Sequence, residues 1–176
     1  MNVRKRLTKQ RLCKGITLLE LLITLSVMSI LLSLAVPSFK NLIAEVRLAS
    51  VTDELYSSLQ LARTEAVKRA IKVEICPSVD GSSCLASNNW NSGWMVWYAT
   101  GGGGIEVLRV KASLSPGVQI SSTVSEVEFE SVGQASAEAD IQVSIVGDSA
   151  QSRRICLFPS GQVTVEKGAS CNEGGA

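Results

Sequence analysis

The sequence contains no histidine, and only 5% of its 176 residues are aromatic. The absence of histidine excludes His-based catalytic triads, histidine general bases and His-ligated metal sites. The 17 Lys and Arg residues nearly balance the 16 Asp and Glu residues, so the net charge of +1 gives no overall reason to expect a polyanionic partner. With 45% hydrophobic residues, the chain can still bury the core of one ordinary domain.

The basic residues are concentrated at the N-terminus. Met1–Gly15 carries six Lys or Arg residues and no acid, which leaves 11 of the 17 basic residues and all 16 acids in the rest of the chain, a side-chain charge of −5. Ile16–Val36 follows with a single charged residue, Glu20. As a helix this run would extend about 31 Å, which matches the hydrocarbon thickness of a bilayer. The positive-inside rule keeps the basic flank in the cytoplasm and places everything after Pro37 across the membrane.

Three interpretations of this N-terminal region compete. A secretory signal has a shorter apolar core and an A-x-A-like cleavage site, and the sequence offers neither. A plain single-pass anchor explains the length but not Glu20, because a carboxylate at membrane depth costs about 2.5–3.5 kcal/mol. Glu20 either reaches the headgroups from its place near the start of the run or meets a partner inside the membrane.

The third interpretation rests on a resemblance. Lys14-Gly15-Ile16-Thr17-Leu18-Leu19-Glu20 resembles the class III signal of type IV prepilins and pseudopilins, in which a prepilin peptidase cuts after Gly, the new N-terminus is methylated and Glu is the fifth mature residue. The resemblance implies cleavage between Gly15 and Ile16 and N-methylation of Ile16. It also implies that the Glu20 carboxylate pairs with the ammonium of a neighbouring subunit. Ile16 departs from the Phe that is usual at the first mature position.

A second helical segment is predicted for residues 37–72. Pro37 lacks an N–H and disfavours a helical residue before it, so a kink or break is expected near Val36. Beyond Pro37, apolar residues recur at steps of three and four, which indicates one helical face. These positions are Leu48, Val51, Leu55, Leu59, Ala62, Ala66 and Ala70. We expect this stripe to pack on a sheet formed by residues 73–176, in the same domain.

Residues 73–176 change to short apolar runs separated by Gly, Ser, Asn and Pro, which is typical of antiparallel strands. The predicted strands are Val73–Cys76, Met95–Tyr98, Ile105–Val110, Val118–Ser121, Val127–Phe129, Ile141–Val146, Ile155–Phe158 and Val163–Val165. Gly101–Gly104 is interpreted as a hairpin loop rather than a phosphate-binding loop, because no helix or Lys follows it. The fold class is therefore α+β: a long N-terminal helix, half transmembrane and half amphipathic, packed on an antiparallel β-sheet domain like a type IV pilin.

The same half of the chain resembles the GspH/FimT branch of minor pilins and pseudopilins. Leu59–Val67 reads LQLARTEAV and Trp90–Trp94 reads WNSGW, two stretches typical of that branch. The three tryptophans of the chain could stack nucleobases. The alternation of Trp94, Val96 and Tyr98 favours packing on one strand face instead.

Five cysteines are present, and Cys13 lies in the leader. The other four form an even set in an exported domain, which favours disulfides. The local pairing, Cys76 with Cys84 and Cys156 with Cys171, is predicted among three possibilities. A zinc site is the rival interpretation, but spacings of eight and fifteen residues suit zinc poorly.

Some members of the GspH/FimT branch bind DNA through a Gly-Arg-x-Arg motif in the C-terminal strand. The aligned stretch here is Ser160–Thr164, SGQVT, so Gln162 and Thr164 stand where the two arginines would be. Phosphate contacts depend on Lys and Arg, so this departure removes the contacts that the inference needs. Arg153 and Arg154 lie nearby and are candidate DNA contacts, but they are as easily surface charges.

The resemblance implies a minor pilin of the type IV pilus that helps to initiate or cap assembly. Its implied partners are other pilins, prepilin peptidase and inner-membrane lipid. The alternative is a pseudopilin of a type II secretion system, and the second alternative is a DNA-uptake pilin that binds DNA. The two cysteine pairs resemble those of pilus subunits more than those of pseudopilins. The implied location is the bacterial inner membrane, with the C-terminal domain in the periplasm, and then the pilus or pseudopilus. We predict no enzyme activity, cofactor or metal, because the acids are scattered and no Ser-x-x-Lys motif stands out.

Overall fold

The computed structural model describes residues 15–114, 116–167 and 171, and for residues 34–38 it describes the backbone alone. Within these residues one long helix is followed by eight strands, which confirms the α+β prediction. The elements are α1 (Leu18–Arg69), β1 (Val73–Pro77), β2 (Trp94–Ala99), β3 (Ile105–Lys111), β4 (Val118–Ser122), β5 (Val127–Phe129), β6 (Ala139–Ile145), β7 (Asp148–Leu157) and β8 (Val163–Glu166). The chain divides into two compact units, Met1–Asn41 and Leu42–Ala176, and the second is called the head below.

The backbone of α1 is helical through Pro37, so of the kink or break predicted near Val36 the break is wrong. Proline removes one backbone hydrogen bond from a helix. Helical residues extend for several turns on both sides of Pro37, and each added residue contributes its own hydrogen bond once a helix has formed. The bonds on either side therefore outweigh the one that is lost.

Helix α1 ends at Arg69 in a Schellman arrangement. Ala70 has a φ of 53°, in the left-handed region. Its N–H donates to the Val67 carbonyl (3.3 Å), and the Ile71 N–H donates to the Ala66 carbonyl (3.2 Å). An alanine therefore occupies a position that usually favours glycine. The chain reverses here and enters β1.

The described part of the head contains two four-stranded antiparallel sheets. Sheet 1 has the order β3-β2-β1-β5, and sheet 2 has the order β4-β6-β7-β8. In sheet 1, Glu74 of β1 lies opposite both Trp97 of β2 and Glu128 of β5. A bulge leaves Leu108 of β3 without a partner on β2.

The core of the head combines the apolar stripe of α1 with the inner faces of both sheets. The buried stripe residues are Leu48, Val51, Leu55, Leu59, Ala62 and Ala66. Ala70 was predicted to belong to this stripe, but it is exposed because the helix ends before it. The buried sheet residues around the stripe include Ile75, Trp94, Val96, Phe129, Ile141 and Ile155. The predicted packing of the helix stripe on sheets of the same domain is thus present.

Each of the eight predicted strands has a counterpart among the described residues. The largest difference is β7, which begins at Asp148 rather than Ile155. The added residues read DSAQSRR and give almost no hydropathy signal, and they are held by pairing with β6. The hairpin loop predicted at Gly101–Gly104 joins β2 to β3, and the Thr100 N–H donates to the Gly104 carbonyl across it (2.8 Å).

Two disulfides, Cys76–Cys84 and Cys156–Cys171, join the cysteines that the local pairing predicted. The first ties the end of β1 to the turn-rich segment after it. The second ties β7 to a residue beyond β8. Both therefore close short stretches of the head, with sequence separations of 8 and 15 residues.

Candidate functional site

The predicted cleavage site, Gly15–Ile16, and the predicted assembly contact, Glu20, lie at the start of α1. Thr17 is the N-cap residue, because its Oγ1 accepts a hydrogen bond from the Glu20 N–H (3.2 Å) and its carbonyl accepts one from the Leu21 N–H (3.1 Å). Gly15 and Ile16 precede the helix, and the Ile16 residue is 75% exposed. Among the described residues, no atom lies within 4 Å of a Cβ added to Gly15. No described residue therefore crowds the bond that is predicted to be cleaved.

Glu20 has a local role that the family resemblance did not indicate. Thr17 and Glu20 form the T-x-x-E pattern of a capping box, with Glu20 at the third helical position. Its carboxylate lies in the first turn, where the aligned peptide dipoles create a partial positive charge. The same T-x-x-E spacing is a sequence signal that could have located this helix start.

The helix that follows exposes apolar side chains on all sides. Twelve large apolar residues between positions 16 and 32 are more than half exposed in the single chain. They are Ile16, Leu18, Leu19, Leu21, Leu22, Ile23, Leu25, Val27, Met28, Ile30, Leu31 and Leu32. A helix that is apolar on all sides is stable when other apolar groups cover it. This segment therefore needs lipid or protein around it.

The hydroxyl side chains of this apolar helix are bonded within the helix itself. Thr24, Ser26, Ser29 and Ser33 each donate to the carbonyl three residues earlier, at 2.7–2.9 Å. These groups do not need water, because each has an acceptor inside the same segment. Glu20 is the one charged residue between positions 16 and 33.

No helix among the described residues combines the length and the apolarity needed to cross a membrane. The span predicted for Ile16–Val36 includes residues 34–36, whose side chains lie outside the description. Residues 1–14 of the predicted leader also lie outside the described residues.

The two candidate DNA-contacting arginines lie on β7, and both have carboxylate partners. Arg153 Nη2 lies 2.9 Å from Glu45 Oε1, and Arg154 Nη1 lies 2.5 Å from Asp140 Oδ2. Their side chains are 19% and 17% exposed. Together with Lys167 they line an open groove of about 540 Å³. A phosphate could reach either arginine only by competing with a carboxylate that is already in contact.

Two of the three tryptophans belong to the core. Trp90 and Trp94 are fully buried. The Trp94 Nε1–H donates to Ser58 Oγ (3.0 Å), and the Trp90 Nε1–H donates to the Val124 carbonyl (3.2 Å). Trp97 lies on the outer face of sheet 1 and is half-buried. The packing interpretation therefore holds for Trp90 and Trp94, and neither presents a ring for stacking.

Arg63 joins α1 to two turns of the head, a role that the sequence analysis missed. Its Nε donates to the Gly133 carbonyl (3.1 Å), and its Nη2 donates to the Ser160 carbonyl (3.3 Å). Gly133 and Gly161 have φ values of 81° and 76°, and a Cβ on Gly161 would collide with the Gly133 carbonyl. Arg63 lies within LQLARTEAV and Gly161 within SGQVT, but neither pattern indicates that the two meet.

A charged cluster joins the C-terminal end of α1 to sheet 1. Arg69 Nε lies 2.6 Å from Glu65 Oε2, and Arg69 Nη1 donates to the Tyr98 hydroxyl (2.6 Å). Hydrogen bonds from Arg69 and Lys68 hold the pKa of Glu65 below its usual range. The Tyr98 hydroxyl donates to the Glu106 carboxylate, and this contact raises the pKa of Tyr98. These contacts fix the helix end against β2 and β3.

The zinc interpretation of the cysteines is wrong, because all four head cysteines are joined in disulfides and leave no thiolate ligand. Across residues 15–114, 116–167 and 171, no group of three or more Cys, Asp or Glu side chains is placed to hold a metal ion.

Two family models match the sequence. One, described as "Type II transport protein GspH", matches residues 51–161, which is more than half of the chain. The other, described as "Prokaryotic N-terminal methylation motif", matches residues 10–36 and includes the predicted cleavage site. A search of curated protein sequences gave no significant match.

Solved structures with a similar fold include the type IV minor pilin FimU of Pseudomonas aeruginosa and the minor pseudopilin EpsH from the type 2 secretion system of Vibrio cholerae. The FimU match has 21% identity and a TM-score of 0.57, and covers 68% of this chain and 87% of FimU. The EpsH match has 14% identity and a TM-score of 0.54, and covers 69% of this chain and 97% of EpsH. At these identities the similarity concerns the fold.

Proposed function

The chain belongs to the GspH family of minor pilins and pseudopilins, and on this premise we propose that it is a minor subunit of a type IV pilus that helps to initiate or cap filament assembly. Members of this family are structural subunits that assemble with other pilins or pseudopilins. The methylation motif implies processing by a prepilin peptidase. We assign the cleavage to the bond between Gly15 and Ile16, and the methylation to the new N-terminus at Ile16.

The exposed apolar helix carries this proposal. Burial of each of its large apolar side chains away from water is favourable by about 1.5–3 kcal/mol. Lipid of the inner membrane covers these side chains before assembly, and similar helices of neighbouring subunits cover them in the filament. Assembly is thus an exchange of one apolar environment for another, and it needs an additional contact to set the register.

Glu20 supplies that contact. Cleavage creates an ammonium at Ile16, one residue before the N-cap Thr17, where the helix dipole disfavours a positive charge. The Glu20 carboxylate of a neighbouring subunit can neutralise this ammonium. Two charges that are costly to bury separately then become one mutual contact. The pairing is specific because Glu20 is the only charged residue in the apolar run.

We place the processed chain in the bacterial inner membrane, anchored through residues 16–36, with the head in the periplasm. Family members are anchored in this membrane and carry a periplasmic domain. The six basic residues of Met1–Gly15 favour a cytoplasmic leader. The two disulfides of the head suit an oxidising compartment such as the periplasm.

Mass spectrometry of the mature N-terminus tests the processing step. We expect the first residue to be an N-methylated Ile16 in cells that contain the prepilin peptidase, and the full leader to remain in cells that lack it. A mature protein that keeps Met1–Gly15 in the presence of the peptidase would overturn the proposal.

The substitution Glu20→Gln tests the pairing role. It removes the charge but keeps nearly the same shape, so we expect the processed subunit to accumulate in the membrane and to be depleted from sheared filaments. Glu138→Gln is the matched control, because Glu138 is an exposed acid of the head outside the apolar helix. Normal entry of the Glu20→Gln subunit into filaments would show that the pairing is not required.

A pseudopilin of a type II secretion system is the alternative function, because the fold resembles EpsH nearly as closely as FimU. Deletion of the chain separates the two. Loss of surface pili with normal enzyme secretion supports the pilus proposal, whereas loss of secretion with normal pili supports the alternative.

A further inference from the structure

A pocket of about 500 Å³ lies between two segments of the head. One wall comes from residues 87–91, and the other comes from the β4 residues Gln119–Ser122. Seven of the eight residues that line it are Ser, Asn or Gln, and none is charged. The one apolar lining residue, Ile120, is itself buried in the core. The walls are therefore almost entirely polar and uncharged, and we call this cavity the amide pocket.

Two asparagines of the amide pocket use their side-chain oxygens within the head. Asn89 Oδ1 accepts a hydrogen bond from the Asn91 N–H (3.0 Å), and Asn91 Oδ1 accepts one from the Ile120 N–H (2.6 Å). The side-chain nitrogens of Asn89 and Asn91 have no hydrogen-bond partner among the described residues. An amide nitrogen carries two donor hydrogens. These two side chains therefore present donors that the fold does not use.

Two further amides of the pocket are held in the opposite sense. The Asn88 Nδ2 group donates to the Thr123 carbonyl (3.3 Å), and the Gln119 Nε2 group donates to Ser144 Oγ (3.2 Å). No described residue donates a hydrogen bond to Asn88 Oδ1 or Gln119 Oε1. The amide pocket thus combines oriented donors with oriented acceptors. Because the fold already holds these side chains, little order has to be gained on binding.

A smaller pocket of about 210 Å³ continues from the amide pocket, since Ser121 and Ser122 line both. Its two charged residues, Asp140 and Arg154, are in contact with each other. The other carboxylate oxygen, Asp140 Oδ1, is buried and has no hydrogen-bond partner among the described residues. A buried acceptor without a donor is uncommon in folded proteins. A hydroxyl group in the smaller pocket would supply the donor that this oxygen lacks.

The composition of the two pockets argues against several classes of ligand. An apolar ligand needs apolar walls, which these pockets lack. A polyanion needs several Lys or Arg residues, and the one Arg of the two pockets, Arg154, already contacts Asp140. An extended peptide cannot add to β4 as a strand at this edge, because residues 87–91 cover it through a bridge between Asn89 and Ser121.

We propose that the two pockets form a binding site for a glycan, whose hydroxyl groups bond to the unused halves of the four amides. A hydroxyl group donates one hydrogen bond and accepts others, so a row of hydroxyls matches walls of mixed donors and acceptors. The proposed function places the head in the periplasm, and the choice of a cell-wall glycan as ligand rests on that proposed function. The recognition of hydroxyl groups rests on the pockets alone.

Calorimetric titration of the full chain tests the site. The chain is purified in a phosphocholine detergent, because a detergent with a sugar headgroup could compete for the pockets. The probes are a β-1,4-linked tetramer of N-acetylglucosamine, which represents the cell-wall glycan, and maltotetraose, which represents a glucan without amide groups. We expect saturable binding of a sugar, and the tighter of the two identifies the source of the glycan. No binding of either sugar up to about 10 mM would overturn the proposal, as would tighter binding of an uncharged Gly-Ser peptide or of DNA.

The double substitution Asn88→Ala with Gln119→Ala removes the two acceptors of the amide pocket. Two hydrogen bonds to the sugar are lost, so we expect the affinity to fall by at least about fivefold. The matched control is Asn41→Ala with Gln134→Ala, which removes the amides of two exposed residues outside the pocket. Equal affinities of the pocket variant and the unaltered chain would overturn the role of these amides. Melting temperatures of both variants show whether the head remains folded.

A tetramer of N-acetylglucosamine with methylated hydroxyl groups provides a measurement that needs no substitution. It keeps its acceptor oxygens but has no hydroxyl donor for Asn88 Oδ1, Gln119 Oε1 or Asp140 Oδ1. We therefore expect its binding to be lost. Unchanged binding would show that the pockets do not recognise hydroxyl groups.

The failure of this proposal differs from a failure of the proposed function. If the chain is processed and supports pili but binds no glycan, the two pockets are not a glycan site, although the function stands. If the chain keeps its leader or its deletion leaves pili intact, the proposed function fails, and the titration still decides whether the pockets bind a glycan.

Discussion

At the residue scale, two turns of the head approach each other closely at Gly133 and Gly161. Both residues lie in the left-handed region, and a Cβ on Gly161 would occupy the space of the Gly133 carbonyl. Arg63 donates to that carbonyl and to the carbonyl of Ser160, so one guanidinium satisfies two turns. The approach is possible because Gly161 has no Cβ, whereas a Cβ on Gly133 would instead meet Val67 Cγ2 at 2.7 Å.

The substitution Gly161→Ala is expected to lower the free energy of unfolding by more than about 2 kcal/mol, because it adds a steric clash to an unfavourable φ. Gly147→Ala is the matched control, since Gly147 has a φ of 85° but no atom near the added Cβ. We expect that variant to lose only about 1 kcal/mol. Urea unfolding measures both, and equal losses would show that the contact with Gly133 is not tight.

Ala70 is a residue where the sequence is not optimal for the backbone. A φ of 53° destabilises the folded state by about 1–2 kcal/mol when the residue is alanine. Glycine avoids this cost, but it also increases the entropy of the unfolded chain, which offsets part of the gain. Ala70→Gly should therefore stabilise the protein by about 0.5–1 kcal/mol and raise its melting temperature. Ala112→Gly, at an exposed alanine without a positive φ, should not stabilise. A lower melting temperature for Ala70→Gly would contradict the Schellman assignment.

At the scale of the elements, β1 carries a carboxylate, that of Glu74, whose ionised form is disfavoured by its surroundings. Glu74 lies between Trp97 of β2 and Glu128 of β5 on the outer face of sheet 1. Burial raises the pKa of Glu74 above its ordinary value of 4.5, and repulsion from Glu128 and Glu126 raises it further. The folded head therefore binds the Glu74 proton more tightly than the unfolded chain does. This group favours folding at low pH, and the benefit is lost as the pH rises through the folded pKa.

The substitution Glu74→Gln tests this pH dependence of the stability. The variant should melt at a higher temperature than the unaltered protein near pH 7, and the difference should shrink as the pH approaches about 4. Glu138→Gln, at an exposed acid, should show no such trend. Melting curves across this pH range measure the effect, and a constant difference at every pH would contradict it.

Elements with a hydropathy signal were predictable, and those held by other forces were not. The stripe from Leu48 to Ala66 repeats at helical spacing, so its burial followed from the sequence. The first half of β7 is polar and is fixed by backbone pairing with β6, which leaves no periodic apolar signal. Of the kink or break expected near Val36, the break did not occur, because the hydrogen bonds of the helix on both sides of Pro37 outweigh the one that proline removes.

The candidate site divides in the same way. Gly15, Ile16 and Glu20 were identified by the resemblance of their segment to the class III signal of type IV prepilins, and their roles remain predictions. Arg63 escaped notice because its partners are backbone carbonyls about 70 and 97 residues away, and no local pattern records such a contact. The contacts that Glu106, Arg109 and Lys111 of β3 make with α1 were also missed, since a strand with apolar residues on one face does not reveal which face meets the helix.

At the scale of the whole molecule, the two disulfides contribute unequally. Cys156–Cys171 closes 15 residues and Cys76–Cys84 closes 8. Loop-closure entropy predicts a loss of about 3 kcal/mol when the longer one is removed and about 2.5 kcal/mol for the shorter one. The double variants Cys156→Ser with Cys171→Ser, and Cys76→Ser with Cys84→Ser, test this order without leaving a free thiol. Urea unfolding is the measurement, and a larger loss for the shorter loop would contradict the entropic account.

The internally bonded hydroxyls of α1 have one more consequence. Thr24, Ser26, Ser29 and Ser33 use their protons within their own helix, so they offer no donor with which to tell one neighbouring helix from another. In the proposed filament, residues 16–33 therefore present apolar side chains to a neighbouring helix, and Glu20 is the only charged group among them. In that filament, recognition of one particular neighbour would depend on Glu20 and on residues outside this stretch.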